Sequence, residues 1–503
     1  MGRATLLLAL PLIICARTTA PPPLLLNEMA TMRQVRARTA ARDPALATVL
    51  ASLALDAVAL YAGNSSWVDG PGPWAVTDKV KWTSYVASSG DLHDYFSTAK
   101  YCWPCNTTCD RKLFRGKECN AWLSGRDYHP HSCDNQTGLP WLCHDGFANP
   151  INTYLDSGSW VEVVNAVPTL ALSAFLTDST QHAQRAASLA RTWFLDPATA
   201  MRPNIQYSQE IPGQNNGTHG GIIDWSDHHK LLDILDALSL LRASPDAAVA
   251  AAWSATDEEQ MVQWVSELSN WLKHSQHARA EARASNNHGT WFDVMALGLY
   301  VSAHGVHSAR SFFGKRSNWN GTRLTDSWSS APSRFKYLGA LEDATRVCAD
   351  ALEKRIAKQV SGPRDGLPVG GMPLEDRRTN TQHYHSQNLA GMLTLAQLCR
   401  SINGTDLYHS KVQPTDSRSG KVSLLDAVEF VLPFVSNVTG EPKQPWPFKE
   451  AGEGEPYYWA QVLRKAANGY RNSTYEQAFA GTCADLIWLG LAQLAPSNSR
   501  AFL

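Results

Sequence analysis

Apolar residues recur at i, i+3, i+4 and i+7 along most of this 503-residue chain, and that period limits its fold class more than any other feature. The stretches 45–61, 160–193, 227–241, 257–272, 291–306, 337–360, 386–399, 423–435, 457–467 and 475–494 all carry it. Period-two alternation, the mark of a half-buried strand, is scarce. Long loops rich in Gly, Pro, Asn and Trp join these stretches, and loops of this kind are where function concentrates. No Pro/Gly/Ser linker interrupts residues 45–503, and no strict repeat marks a solenoid. The chain is therefore expected to be all-α, one domain of antiparallel helix pairs stacked around a central cleft.

Residues 1–20 have the pattern of a secretory signal peptide: Arg3, an apolar run from Leu6 to Cys15, then Thr18-Thr19-Ala20 ahead of Pro21. Residues 21–44 form a Pro-rich and then Arg-rich lead-in, expected as a loose segment or a surface helix. No later segment is expected to span a membrane. Sequons at Asn64, Asn106, Asn135, Asn216, Asn320, Asn403, Asn437 and Asn472 point to a secreted glycoprotein. In an oxidising compartment Cys102, Cys105, Cys109, Cys119, Cys133 and Cys143 read as three disulfides of open connectivity, in a Cys-rich insertion over 102–143. A zinc site is the alternative, because Cys102 and Cys105 have metal-like spacing. Cys348, Cys399 and Cys483 remain, so one of them should stay a free thiol if the rest pair internally. A net charge of −1 gives no reason to expect nucleic acid as a partner, and an anionic substrate would need a local basic site.

The densest polar cluster is Ser285-Asn286-Asn287-His288-Gly289-Thr290-Trp291-Phe292-Asp293, followed at once by a helical apolar pattern. The first N–H groups of a helix have no partner within it and favour anions, and Asn and His add donors. The cluster is built to hold a negatively charged group. The alternative is that Asn286 and Asn287 cap the helix and His288 is a packed histidine.

Ordered blocks along the chain resemble the alginate lyase-like polysaccharide lyases. They include Tyr101-Cys102-Trp103-Pro104, Gly138-Leu139-Pro140-Trp141, Asp145-Gly146 and Asn149-Pro150, with the Cys-rich insertion splitting this group. Next come Phe194-Leu195-Asp196-Pro197, Met201-x-Pro203-Asn204, Gln209-x-Ile211-Pro212-Gly213 and Gly221-Ile222-Ile223-Asp224. Asn286-Asn287-His288-Gly289-Thr290-Trp291, Pro373-Leu374-Glu375-x-x-Arg378-Thr379, Tyr384, Asn388-Leu389 and Trp446-Pro447 complete the series. The resemblance implies an (α/α) toroid, an incomplete barrel of antiparallel helix pairs, and β-elimination in an anionic uronate polysaccharide. It implies no cofactor and no metal, and the chain is expected to be a monomer.

In that reaction the C5 proton, alpha to a carboxylate, leaves and the glycosidic oxygen at C4 is expelled. Negative charge then builds on the carboxylate, and losing one donor that neutralises it typically costs about 3 kcal/mol. The resemblance implies that Asn287, His288 and Arg378 neutralise it, with Arg377 the alternative arginine. Tyr384 is the expected acid, and serves as base too when the proton and the leaving oxygen share a face. His288 is the base when they do not. Substrate contacts are expected from Gln209, Trp225, His229, Trp291, Arg377, His383, Trp103 and Trp446, the tryptophans by stacking on sugar rings. Each has an alternative as a packing or loop residue. Two rival sites remain open: a metal site from Asp227, His228, His229, His383 and His385, and a hydrolase carboxylate pair from Glu210, Asp224 and Asp227.

Overall fold

Helix α1 (Met29–Ala40) realises the surface-helix alternative for the lead-in, burying only Met32. Ahead of it, the buried Leu24–Leu26 segment is held by Asp236, which accepts the N–H groups of Leu25 (2.5 Å) and Leu26 (3.0 Å). This computed structural model describes residues 24–62, 72, 74–81, 86–106, 133–134, 136–143, 149, 155–226, 230–304, 344–363, 366–403, 406–415, 420–435, 444–448, 457–472, 474–475 and 478.

The remaining helices are α2 (Ala47–Ala62), α3 (Asp156–Thr177), α4 (Thr180–Phe194), α5 (Gly220–Ser226), α6 (Lys230–Arg242), α7 (Ala247–Ala251) and α8 (Ala255–His274). After them come α9 (Gln276–Arg283), α10 (Asn287–His304), α11 (Ala344–Gln359), α12 (Thr381–Asn403), α13 (Leu424–Val431) and α14 (Tyr457–Tyr470). Helix α3 packs on α2, α4 and α6; α6 leads to α10, α10 to α12, and α12 to α14. Helices α8 and α9 back α10, and α11 backs α12. The result is the expected all-α architecture, an (α/α) toroid of packed helix pairs whose core is one large apolar cluster.

One difference from the sequence reading has a clear cause. The continuous period over 160–193 divides into α3 and α4 because Asp178 takes the left-handed conformation (φ 59) and Ser179 caps α4 by accepting the His182 N–H. Two helices reach membrane-span length and hydropathy. One is α3, 83% buried as the core helix between α4 and α6. The other covers Pro44–Ala62, is only 11% buried, and leaves Leu55 and Val58 exposed while Leu53 and Ala57 face the protein.

Strands are short. β1 (Phe96–Thr98) pairs in parallel with β4 (Tyr207–Glu210), and β2 (Cys102–Trp103) pairs antiparallel with β3 (Leu142–Cys143). β5 (Lys411–Val412) pairs antiparallel with β6 (Val422–Ser423). Cys102–Cys143 bridges β2 to β3, and Cys105–Cys133 closes the neighbouring loop. Cys109 and Cys119 lie outside the described residues, as does Cys483. Cys348–Cys399 joins α11 to α12. A buried pair, Lys79 Nζ on Asp156 Oδ2 at 2.9 Å, anchors the start of α3. The same carboxylate oxygen accepts the Phe96 N–H at 2.8 Å and so fixes β1 against the helix.

Ser254 and Asp257 form a capping box at the start of α8, and Arg191 of α4 grips Asp257 with two bonds of 2.7 Å. Burial pushes the Asp257 carboxyl up, but hydrogen bonds from Arg191 and Ser254 outweigh it and hold the pKa at about 2. Asp257→Ala should lower the unfolding free energy by about 1–3 kcal/mol, read from the urea midpoint. The folded pKa lies below the unfolded one, so this contribution is complete above about pH 4 and fades as the pH falls towards 2. A variant whose deficit stays constant over that range would rule out the ionised carboxylate as its source.

Candidate active site

The polar cluster of the sequence leads into and forms the first turns of α10. The Asn286 carbonyl opens the helix by accepting from the N–H groups of Gly289 (3.1 Å) and Thr290 (3.4 Å). The anion at this helix end, however, belongs to the protein. The Asn287 N–H donates to Glu375 Oε1 at 2.7 Å, and Glu375 is 0% exposed. Burial raises the Glu375 pKa to about 7, against the pull of the Asn287 N–H, the Arg378 guanidinium and His288.

Asn287 itself is 1% exposed and donates Nδ2 to Gln387 Oε1 of α12 at 2.8 Å, while its Oδ1 is buried without a partner. Behind it, Thr290 Oγ1 donates to Asn388 Oδ1 at 2.9 Å, and Asn388 Nδ2 donates to Gln359 Oε1 at 2.7 Å. The packing at Gly289 is as close as a side chain-free residue permits. A Cβ there would lie 2.1 Å from Arg355 Nη1 and 2.3 Å from the Ala284 carbonyl. Arg355, wholly buried, ties that corner down through Asp293 (2.7 Å) and the Ala284 carbonyl (2.6 Å).

His288, partly exposed, lies in the first turn of α10. Its Nδ1 lies 2.8 Å from Glu281 Oε1 on α9, and Glu281 is 0% exposed. Burial alone would lower the His288 pKa, but the Glu281 carboxylate beside it produces a net rise. His219, exposed just before α5, has its ring centroid 6.0 Å from that of His288. His219, Glu281 and His288 offer ligand atoms within 4.8 Å of one another, a set with the chemistry of a metal centre. Gln209 approaches from β4 with a left-handed backbone (φ 53) and accepts a bond from Thr218 Oγ1 at 3.5 Å. A Cβ at Gly220 would sit 2.8 Å from Gln209 Oε1 and 3.6 Å from His288 Cε1, so the glycine keeps these side chains close.

The second block arrives on the turn before α12. That turn buries Glu375 and Asp376, leaves Arg377 exposed and turns Arg378 back inward. The Arg378 guanidinium lies 3.6 Å above the Tyr384 ring. The Tyr384 hydroxyl lies 3.0 Å from that of Tyr101, and Tyr384 is 7% exposed. The structure thus brings Asn287, His288, Arg378 and Tyr384 to one end of α10 and α12, and Arg377 is exposed. His383 packs edge-on against Tyr384 at 5.0 Å.

Other expected contacts are placed differently. Trp291 is 0% exposed and Trp103 4%, which corrects the expectation that these indoles stack on sugar: both pack inside the protein. Trp446 is half-buried among Phe434, Phe448 and Trp459 and donates its indole N–H to Thr381 Oγ1 at 2.7 Å. His385 is wholly buried, with Nδ1 2.8 Å from Asp376 Oδ1, apart from any metal set with His383. Trp225 lies on α5, and Asp227, His228 and His229 fall outside the described residues. Glu210 is buried on β4 and accepts the Ser88 N–H at 3.3 Å. Sequence reasoning missed Tyr101, Glu281, Gln387 and His219 as neighbours of the site. Only Tyr101 carried a signal, as part of a matched block.

A family model described as alginate lyase matches residues 79–308 and 337–440. Among solved structures, the crystal structure of an alginate lyase from Bacteroides ovatus aligns with a TM-score of 0.66 at 25% identity, over 91% of this chain and 95% of that one. No match was found among curated protein sequences.

Removal of the Glu375 carboxylate should loosen the site before it touches chemistry. Glu375→Ala leaves the Asn287 N–H buried without an acceptor and should cost about 1–3 kcal/mol in urea unfolding. Glu375→Gln keeps an acceptor oxygen and should retain most of that stability. Equal losses in both variants would show that charge, and not the bond to Asn287, is what matters.

Proposed function

The chain belongs to the alginate lyase family and is a polysaccharide lyase; from that premise we propose that it cleaves a uronate polymer, of alginate, polymannuronate or glucuronan type, by β-elimination. The observation that carries this reading is the meeting of His288, Arg378 and Tyr384 at one end of α10 and α12. Amide, imidazole, guanidinium and phenol are the groups that elimination beside a carboxylate requires.

Arg378 and His288 neutralise the substrate carboxylate, so that charge developing as C5–H breaks meets fixed donors. Asn287 joins them by exchanging the two ends of its amide, which have the same shape. Its Nδ2 then occupies the position where Oδ1 is buried without a partner, and faces the carboxylate. Gln387 makes the matching exchange and keeps the bond between the two. Tyr384 protonates the leaving oxygen. The hydroxyl of Tyr101, 3.0 Å away, resupplies or accepts its proton. When C5–H and the leaving oxygen share a face, Tyr384 takes both steps. When they lie on opposite faces, His288 takes the C5 proton through Nε2, while Glu281 holds Nδ1.

The disulfides, the signal-like residues 1–20 and the sequons support a secreted glycoprotein acting outside the cell. The substrate is an anionic polysaccharide, met as a monomer.

Absorbance at the unsaturated product end separates elimination from hydrolysis, which leaves no such chromophore. With polymannuronate, polyguluronate, glucuronan and hyaluronan as substrates, at least one uronate polymer should give rising ultraviolet absorbance. Tyr384→Phe should then lower kcat by about 10²–10⁴-fold with helical circular dichroism unchanged. Asn287→Ala and His288→Ala should also abolish turnover. Folded protein that is silent on every uronate polymer sinks the proposal, and full activity in any one variant removes that residue from it.

A further inference from the structure

We propose that His219, Glu281 and His288 bind a divalent transition cation of the zinc type, and that the bound ion holds the lyase inactive. Three elements converge to make this set: the segment before α5, helix α9 and the start of α10. Their ligand atoms lie within 4.8 Å of one another. Ligands 2.0–2.2 Å from one tetrahedral ion stand about 3.4 Å apart, so a small swing of the exposed His219 side chain closes the site.

Glu281 supplies the independent sign of a ligand. It is 0% exposed, its Oε1 meets His288 Nδ1 at 2.8 Å, and its Oε2 is buried without a partner. A carboxylate oxygen removed from water and left unpaired is costly, and a cation between the carboxylate and the two imidazoles satisfies it. The donor set selects the ion. Two imidazoles and one carboxylate suit zinc-type ions, whereas magnesium and calcium prefer all-oxygen cages. Three protein ligands leave a fourth position for water or a substrate oxygen. A cation on His288 Nδ1 takes the place of its bond to Glu281 and fixes the ring proton on Nε2, so His288 can no longer accept the C5 proton there. That effect on turnover rests on the proposed function; the binding does not.

The test uses the full chain freed of metal with a chelator and titrated with zinc chloride by calorimetry. One zinc per chain should bind, with magnesium and calcium at least tenfold weaker. His219→Ala should weaken zinc binding at least tenfold while its chelator-treated turnover stays at the wild-type level. Glu281→Gln, with folding checked by circular dichroism, should weaken binding as well. Zinc should inhibit the wild-type lyase and spare His219→Ala at the same concentration. Absence of stoichiometric binding, unchanged affinity in His219→Ala, tighter binding of calcium, or activation by zinc each overturns the proposal. Binding that follows this pattern in a chain without lyase activity supports the site and overturns the inhibitory role alone.

Discussion

One buried hydrogen bond, from the Asn287 N–H to the Glu375 carboxylate, joins the two halves of the site. Helix α10 presents Asn287 and His288, the turn before α12 presents Arg378, and the first turn of α12 presents Tyr384. Residues 88 positions apart are brought into register by a carboxylate placed where a helix end favours an anion. The same carboxylate faces Arg378 and His288, and both pull its pKa down against the effect of burial. The site's cationic character is thus partly balanced from within. These side chains are positioned by a protein carboxylate.

Around that bond lies a buried polar layer: Thr290, Gln359, Gln387 and Asn388 between α10, α11 and α12. Nearly satisfied networks of this kind fix the relative position of helices more sharply than apolar contact does, because each missed bond is expensive in a dry interior. The covalent link Cys348–Cys399 also ties α11 to α12, about three helical turns away from Gln359 and Asn388. Two oxygens in this region, Asn287 Oδ1 and Glu281 Oε2, are buried without a hydrogen-bond partner.

Much of the helical architecture was legible from apolar spacing, because a helix in a toroid buries one face and the period reports it. The break between α3 and α4 was not, since Asp178 adopts a left-handed turn more often served by glycine. The site was legible as two separate blocks. Their junction was not, because Glu375 reads equally well as a surface acid, and Glu281 sits on a different helix from its histidine. Tryptophan misled for a simple reason: the same indole serves as sugar platform or core filler, and only burial separates the two, as it does for Trp103 and Trp291.

The socket at Gly289 has a consequence for how this protein can vary over evolution. The glycine is fixed by a neighbour, Arg355, whose guanidinium occupies the volume a Cβ would need. A mutational path that enlarges position 289 must shorten position 355, which strands Asp293 without its cation, and must also move the Ala284 carbonyl. The three positions are therefore expected to stay fixed together among relatives. The close packing at the start of α10 is thus a constraint that reaches across to α11.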